Sequence, residues 1–263
     1  MVTAGLGASL MAVTCLAPGA AQARAPQPKI VHLTFDDGPD GLNDPRLLRI
    51  LKRNDVKATF FLLGHAVASD PSAPQRLWLA GHAVGNHTYN HADLSKLALP
   101  AIEHEMTSAQ RLLGTAGGAC VRPPYGAVSP AFYTASTALG LKPVMWTVDP
   151  EDWAHQDSAY IVNHVLTHVT DHATVLLHDG GGDRRATASA VKQLIPALRA
   201  RGYEFRTVPA CRVPLKVTAY SMAKKVRPKP APTPPPPTPL PTVTPAPTPS
   251  ATVSPAPTAT VAP

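Results

Sequence analysis

The sequence predicts a single α/β domain of roughly 200 residues, with parallel strands and crossover helices arranged as an open sheet or a barrel. Three observations carry this. Strand-type and helix-type patterns alternate seven times between Lys29 and Val208. The connections are short, and strand–helix–strand units of that kind join parallel neighbours. The C-terminal flank cannot add to a core: 15 of the chain's 31 prolines fall between Arg227 and Pro263, among Thr, Ala and Val with no aromatic residue. A segment of that composition is expected to be disordered.

Lys29–Phe35 is a strand pattern of β-branched and aromatic residues that stops at Asp36-Asp37-Gly38-Pro39. Asp44-Pro45 then supplies an N-cap and a first-turn proline, and Leu47, Leu48 and Leu51 form a helical stripe. Ala58–Leu63 reads as a buried strand closed by Gly64, Arg76–Ala80 as a short helix ended by Gly81, and His82–Asn86 as a strand. Ala101–Leu113 is helical with Gly114 as its stop, and Cys120–Arg122 is a short strand. Pro130–Leu139 is a helix ended by Gly140, Lys142–Val148 a strand, Ser158–Val169 a helix and Ala173–His178 a strand. Ala188–Arg201 is a helix with Gly202 just beyond it, and Tyr203–Val208 is the last strand.

The charge balance narrows the function. The chain carries 24 Lys+Arg against 17 Asp+Glu, a net +7, which taken whole suggests a polyanionic partner. However, seven of those cations (Arg206, Arg212, Lys216, Lys224, Lys225, Arg227 and Lys229) follow the last acidic residue, Glu204. Everything before is charge-balanced and shows no interleaved basic–aromatic surface, so nucleic-acid binding is not expected. The basic hinge and proline-rich tail (222–263) are either a solvated linker or an electrostatic hold on an anionic cell wall. At the other end, Val2–Ala23 is rich in Ala, Gly, Leu and Val, has no charge before Arg24 and ends in Ala21-Gln22-Ala23, a small-x-small cleavage pattern. Residues 1–25 therefore resemble a secretory signal peptide without its basic n-region, and a secreted or wall-associated protein is expected. No apolar run reaches 18 residues, so no transmembrane span is expected, and a monomer is expected. Outside the leader, which holds Cys15, two cysteines remain: Cys120 and Cys211 form one disulfide or stay as two buried thiols.

Polar residues recur where the predicted strands stop: Asp36 and Asp37, then His87 and His91, Arg122, Asp149 and Asp152, and His178. In a parallel α/β fold all those strand ends open on one face, where loops build active sites. His87 and His91, four apart, can share a metal, and one carboxylate with two imidazoles makes an open zinc-type triad with room for water. The neighbouring carboxylate then acts as general base on a water acidified by the metal, and His178, oriented by an Asp, as general acid. Position alone does not say which of Asp36 and Asp37 takes the metal. Asp149 either pairs with Arg122 or caps a turn. The other eight histidines lack this pattern, Trp78 and Trp146 read as core residues, and Gly180-Gly181-Gly182 reads as a flexible rim loop.

Five motifs stand in order: Thr34-Phe35-Asp36-Asp37-Gly38-Pro39, His87-Thr88-x-x-His91, Arg122-Pro123-Pro124-Tyr125-Gly126, Asp149-x-x-Asp152-Trp153 and Leu176-Leu177-His178-Asp179. Together they resemble the polysaccharide deacetylases, carbohydrate esterase family 4, also called the NodB homology domain. The likeness runs from about Lys29 to Val208, which sets the domain at 29–210. It implies a distorted (β/α) barrel of seven or eight units that hydrolyses an acetyl group from a sugar. It further implies that Asp37, His87 and His91 hold one divalent metal, zinc in the first place and cobalt or another divalent ion otherwise. Asp36 would be the base, tuned by Arg122; the Tyr125 N–H would help form the oxyanion hole; His178 would be the acid, oriented by Asp152. Trp153 and Leu176 would line the pocket for the acetyl methyl.

On this reading the substrate is an N-acetylglucosamine polymer, peptidoglycan or a chitin-type chain. An O-deacetylase such as an acetylxylan esterase is the alternative within the chemistry, and a non-catalytic wall-binding protein is the alternative outside it.

Overall fold

A computed structural model of the chain describes residues 27–215. The signal-peptide reading of 1–25 and the tail and wall-contact readings of 222–263 fall outside the described residues. Strands β1 (Lys29–Asp36), β2 (Thr59–Leu62), β3 (Ala83–Asn86), β4 (Gly117–Val121), β5 (Lys142–Pro143), β6 (Ala173–His178) and β7 (Tyr203–Phe205) form one sheet. Its order is β5-β4-β3-β2-β1-β6, with β7 joined to the first residues of β1, and every one of these pairings is parallel. Around it lie α1 (Asp44–Arg53), α2 (Gly64–Ser69), α3 (Ala73–Leu79), α4 (Leu99–Leu113), α5 (Pro130–Leu139), α6 (Ser158–His168) and α7 (Arg185–Ala200). The sheet curls into the expected distorted (β/α) barrel.

The barrel closes through one irregular segment, and here the sequence reading needs correction. Lys142–Val148 is not a continuous strand. Only Lys142 and Pro143 pair with β4, while Val148 bridges in parallel to Val175 of β6. The cause lies in the hydrogen-bond accounting. The carbonyls of Val144 and Met145 turn inward to accept Arg122 Nε and Nη2, each at 3.2 Å, which peels the chain off β4. The Thr147 and Val148 amides then bond the Thr174 carbonyl.

Alternation along β1 decides which side chains reach the site. Val31, Leu33 and Phe35 are fully buried in the main core with Phe60, Leu62, Leu47 and Leu51. Ile161 and Val165 of α6 and Val191, Leu194, Ile195 and Leu198 of α7 complete that layer. Each such side chain contributes roughly 2 kcal/mol by leaving water. Thr34 and Asp36 point the other way, and both accept Arg122 Nη1 at 2.8 Å. The buried strands read as apolar runs because helices cover the sheet.

Two further departures are local. Helix α1 begins at Asp44 rather than after it: Asn43 is its N-cap without a side-chain bond, and the Asp44 carboxyl is turned inward. Gly64 opens α2 instead of merely ending β2, because a Cβ there would lie 2.5 Å from the Tyr89 ring and 3.1 Å from Ala109 Cα. Among the described residues no helix is long and apolar enough to cross a membrane.

Of the two alternatives for the cysteines, the structure has the disulfide: Cys120 of β4 is bonded to Cys211. The chain after β7 runs across to β4, where Ala119 N–H donates to Val213 O at 2.8 Å and Gly118 bridges Pro214. Closing a loop of 91 residues stabilises the fold by about 4.6 kcal/mol on the chain-entropy account. Replacing both cysteines with alanine should thus lower Tm by roughly 10 °C in thermal unfolding. An unchanged Tm would show that the bond constrains nothing.

Candidate active site

The carboxyl ends of β1, β3, β4 and β6 meet at one cleft of ≈ 430 Å³. Asp36, Asp37, His87, His91, Tyr125, Trp153, Leu176 and His178 line it, with Pro123, Trp146 and Asp149. Arg122 and Asp152 stand directly behind, fully or almost fully buried. All ten residues singled out in the sequence are therefore brought together.

The two adjacent aspartates have different surroundings. Asp36 ends β1, opposite both Phe61 and His178 in the sheet register. Its Oδ1 accepts the Arg122 guanidinium at 2.8 Å, and its Oδ2 faces His87 Nε2 at 3.7 Å. Arg122 is held in turn by Thr34, by the two turned carbonyls, and by the Phe61 ring 4.1 Å from its guanidinium carbon. Asp37 leaves the sheet at φ 77, and this left-handed turn swings its side chain towards the histidines. Its Oδ1 lies 3.5 Å from His87 Nε2 and 3.3 Å from His91 Nε2.

This cluster passes a test for a metal. Asp37 Oδ1 is buried and meets no hydrogen-bond donor, a costly state for a carboxylate oxygen unless a cation satisfies it. The ligand atoms of Asp37, His87 and His91 all lie within 4.8 Å of one another. His87 Nδ1 bonds the Arg122 carbonyl at 2.8 Å, which fixes a proton there and leaves the Nε2 lone pair facing Asp37. His91 Nδ1 meets the Tyr125 hydroxyl at 3.0 Å, leaving its Nε2 equally free. Burial would raise the Asp37 carboxyl, but the neighbouring imidazoles of His87 and His91 outweigh it and hold it down at about 2. Burial, with the charge of His87, lowers His91 and favours its neutral, ligating form. Asp37, not Asp36, completes the three-residue set.

On the neighbouring strand end, His178 Nδ1 donates to Asp152 Oδ1 at 2.7 Å. Asp152 Oδ2 accepts both the His178 amide (3.0 Å) and Thr187 Oγ1 (2.6 Å), so the carboxylate cannot rotate away. Burial acts to lower the imidazole pKa, but the bond to Asp152 and the charges of Asp152, Asp36 and Asp37 prevail and raise it. Asp149 takes the turn-capping alternative, its Oδ1 accepting the Glu151 amide at 2.9 Å.

Three sequence readings are corrected here. Trp146 is a half-buried wall of the cleft rather than a core residue. Trp78 is 53% exposed and also outside the core. Gly180–Gly182 is no loose loop: Arg184 bonds the Gly180 and Gly181 carbonyls at 2.8 and 2.9 Å, and Asn43 Nδ2 bonds Gly182 O at 2.8 Å. Sequence reasoning also missed Glu105 of α4, whose carboxylate accepts the Tyr89 and Asn90 amides at 2.9 and 2.8 Å and so pins the loop between the two histidines. A buried acid on the inner face of an otherwise amphipathic helix is the signal that would have found it. Among the described residues, five of the seven non-glycine residues at positive φ (Asp37, Thr88, His91, Tyr125 and Glu151) belong to this site's loops, as expected where function holds the backbone in sparse regions.

A carboxylate–histidine cluster able to hold one metal, a second carboxylate beside it and an oriented imidazole on the neighbouring strand end of a (β/α) barrel make the kind of arrangement that hydrolases use. Residues 23–144 match the family described as Polysaccharide deacetylase. The chain is 35% identical over 184 residues to a peptidoglycan-N-acetylglucosamine deacetylase of Bacillus cereus, spanning 68% of this chain and 86% of that protein. It is 38% identical over 194 residues to a chitooligosaccharide deacetylase of a Bradyrhizobium species, spanning 68% and 89%. It matches the crystal structure of a peptidoglycan N-acetylglucosamine deacetylase bound to a naphthyl N-hydroxybenzamide with a TM-score of 0.67 at 34% identity, covering 71% of this chain and 90% of that one. The chain belongs to the polysaccharide deacetylase family, carbohydrate esterase family 4, and is a hydrolase.

Proposed function

We propose that this enzyme is a secreted, zinc-dependent N-deacetylase of N-acetylglucosamine-containing polysaccharide, either peptidoglycan or chitin-type chains. The observation that carries the reading is the convergence on one cleft of Asp36, beside the metal cluster, and His178, oriented by Asp152. The relatives named above act on those two substrate types. The Cys120–Cys211 disulfide supports export to an oxidising compartment, as does the leader-like sequence.

In the mechanism, Asp37, His87 and His91 would hold the ion. When bound it supplies Lewis-acid chemistry, acidifying the attacking water and polarising the acetyl carbonyl. Asp36 Oδ2, fixed by the Arg122 bond to Oδ1, takes a proton from water as its oxygen adds to the carbonyl carbon. The Tyr125 N–H steadies the oxyanion that develops. Trp153 and Leu176 take the acetyl methyl against apolar surface. His178 then hands its proton to the sugar nitrogen as the C–N bond breaks, leaving acetate and a free amine. An amine anion is a very poor leaving group, so the well-braced acid favours N- over O-deacetylation.

Acetate released from chitooligosaccharides, peptidoglycan and acetylated xylan, with and without chelator, tests this. Release from the N-acetylglucosamine substrates should be lost with chelator and restored by zinc. Release from xylan alone would make the enzyme an esterase. No release from any substrate would favour a wall-binding protein, and chelator-insensitive release would overturn the metal role.

A further inference from the structure

Under the turn that carries Asp36 and Asp37 lies a pair of carboxyl groups with no part in the chemistry above. Asp179, next after His178, is 1% exposed, and Asp44, at the start of α1, is 9% exposed. The Asp179 and Gly180 amides donate to Asp36 O at 3.0 and 3.3 Å. Asp179 Oδ1 accepts the Gly38 N–H at 3.1 Å. One residue thus grips the chain on both sides of Asp37. The fit leaves no slack: a Cβ on Gly38 would lie 2.7 and 2.8 Å from the two Asp179 oxygens.

The remaining oxygens of the pair raise a question of satisfaction. Asp179 Oδ2 and Asp44 Oδ1 are buried and have no hydrogen-bond partner among the described residues, and the two carboxyls lie close enough to act on each other. Two carboxyl oxygens can bond only if one bears a proton. Among the described residues no cation substitutes for it. Arg184 is spent on the Gly180 and Gly181 carbonyls, and Arg76 forks the Asp70 carboxylate at 2.9 and 2.6 Å. Burial pushes both acids up, and the charge of Asp44 pushes Asp179 further, in keeping with one proton between them.

We propose that Asp179 and Asp44 are positioning residues for the deacetylase reaction: as a buried carboxyl pair they lock the Asp36–Gly38 turn to the strand end that carries His178. The inference rests on the roles proposed above for those residues. Sheet pairing holds Asp36 beside His178 but ends there. The left-handed Asp37 comes next, and rotation about it would take Oδ1 away from both imidazoles. An amide at position 179 reproduces both functions, accepting from Gly38 N–H and donating to Asp44.

The test compares wild type with Asp179→Ala, Asp179→Asn and Asp44→Ala in the full chain, reading zinc affinity together with kcat and KM on a chitooligosaccharide. Asp179→Ala should lower zinc affinity and kcat by about 10- to 100-fold, the range for losing a partner that orients a ligand, with KM unchanged. Asp179→Asn should recover both. Asp44→Ala should move both in the direction of Asp179→Ala. A purely structural role would lower Tm while sparing zinc affinity and kcat in the folded enzyme, and that result overturns the proposal. So does an Asn variant as impaired as the Ala variant, since charge rather than the contacts of the pair would then matter. If Asp179→Ala does not fold, Asp44→Ala decides, because it leaves the Gly38 bond in place; unchanged zinc affinity there overturns the proposal. Zinc affinity is read without turnover, so a wrong substrate shows only as an inactive wild type.

Discussion

Asp36→Asn should lower kcat on an N-acetylated substrate by about 100- to 10,000-fold, the range over which a general base contributes, while the protein still binds one zinc ion. The two halves of this result come from different atoms. Asparagine retains an oxygen for Arg122 Nη1 but puts an amide where Oδ2 faces His87 Nε2, and an amide takes no proton from water. The candidate metal set of Asp37, His87 and His91 is untouched. The substitution also strips a fully buried guanidinium of its charged partner, and breaking such a pair costs about 3–5 kcal/mol. Kinetics must therefore be measured well below the lowered Tm. Metal content by mass spectrometry and zinc affinity complete the measurement. Loss of the metal, with Asp37→Asn retaining it, would exchange the roles of the two aspartates.

That exchange was open at the level of sequence and shows where legibility ends. Strand and helix order could be read because each buried strand is a short apolar run and most helices end at a glycine. Pro130–Leu139 and Ala173–His178 needed no adjustment of their ends. The rim residues could be read because polar side chains at the ends of apolar strands have few structural uses. What could not be read are features decided between distant segments. Two neighbouring aspartates look alike in sequence; the left-handed turn at Asp37 and the arrival of Arg122 from the end of β4 tell them apart. The strand pattern across Lys142–Val148 misled because the Arg122 guanidinium claims two carbonyls there, a side-chain demand that no propensity records. Asp44 reads as a cap from its position before Pro45, and only the approach of Asp179, 135 positions away in the sequence, turns it inward. Glu105 likewise acts on a loop remote from it in sequence.

His178→Gln should separate the leaving groups. On an N-acetylated sugar kcat should fall about 100- to 10,000-fold, since the departing nitrogen must be protonated as the bond breaks. On an aryl acetate the loss should stay far smaller, because a phenolate departs without a proton while the steps before it are unchanged. The pH dependence supplies an independent arm. In the proposed mechanism the acid form of His178 is the active one, so activity is present below its pKa and is lost as pH rises through it. Burial lowers that pKa, and Asp152 is the leading cause that raises it against burial. Removing its charge in Asp152→Asn, which keeps an oxygen for Nδ1, must therefore move the alkaline limb of kcat/KM to lower pH, and the limb should vanish in His178→Gln. An alkaline limb that stays in place in Asp152→Asn would assign it to another group. Equal losses on amide and aryl ester in His178→Gln would mean that this imidazole shapes the cleft instead of delivering a proton, and the preference for N-acetyl substrates would then need another source.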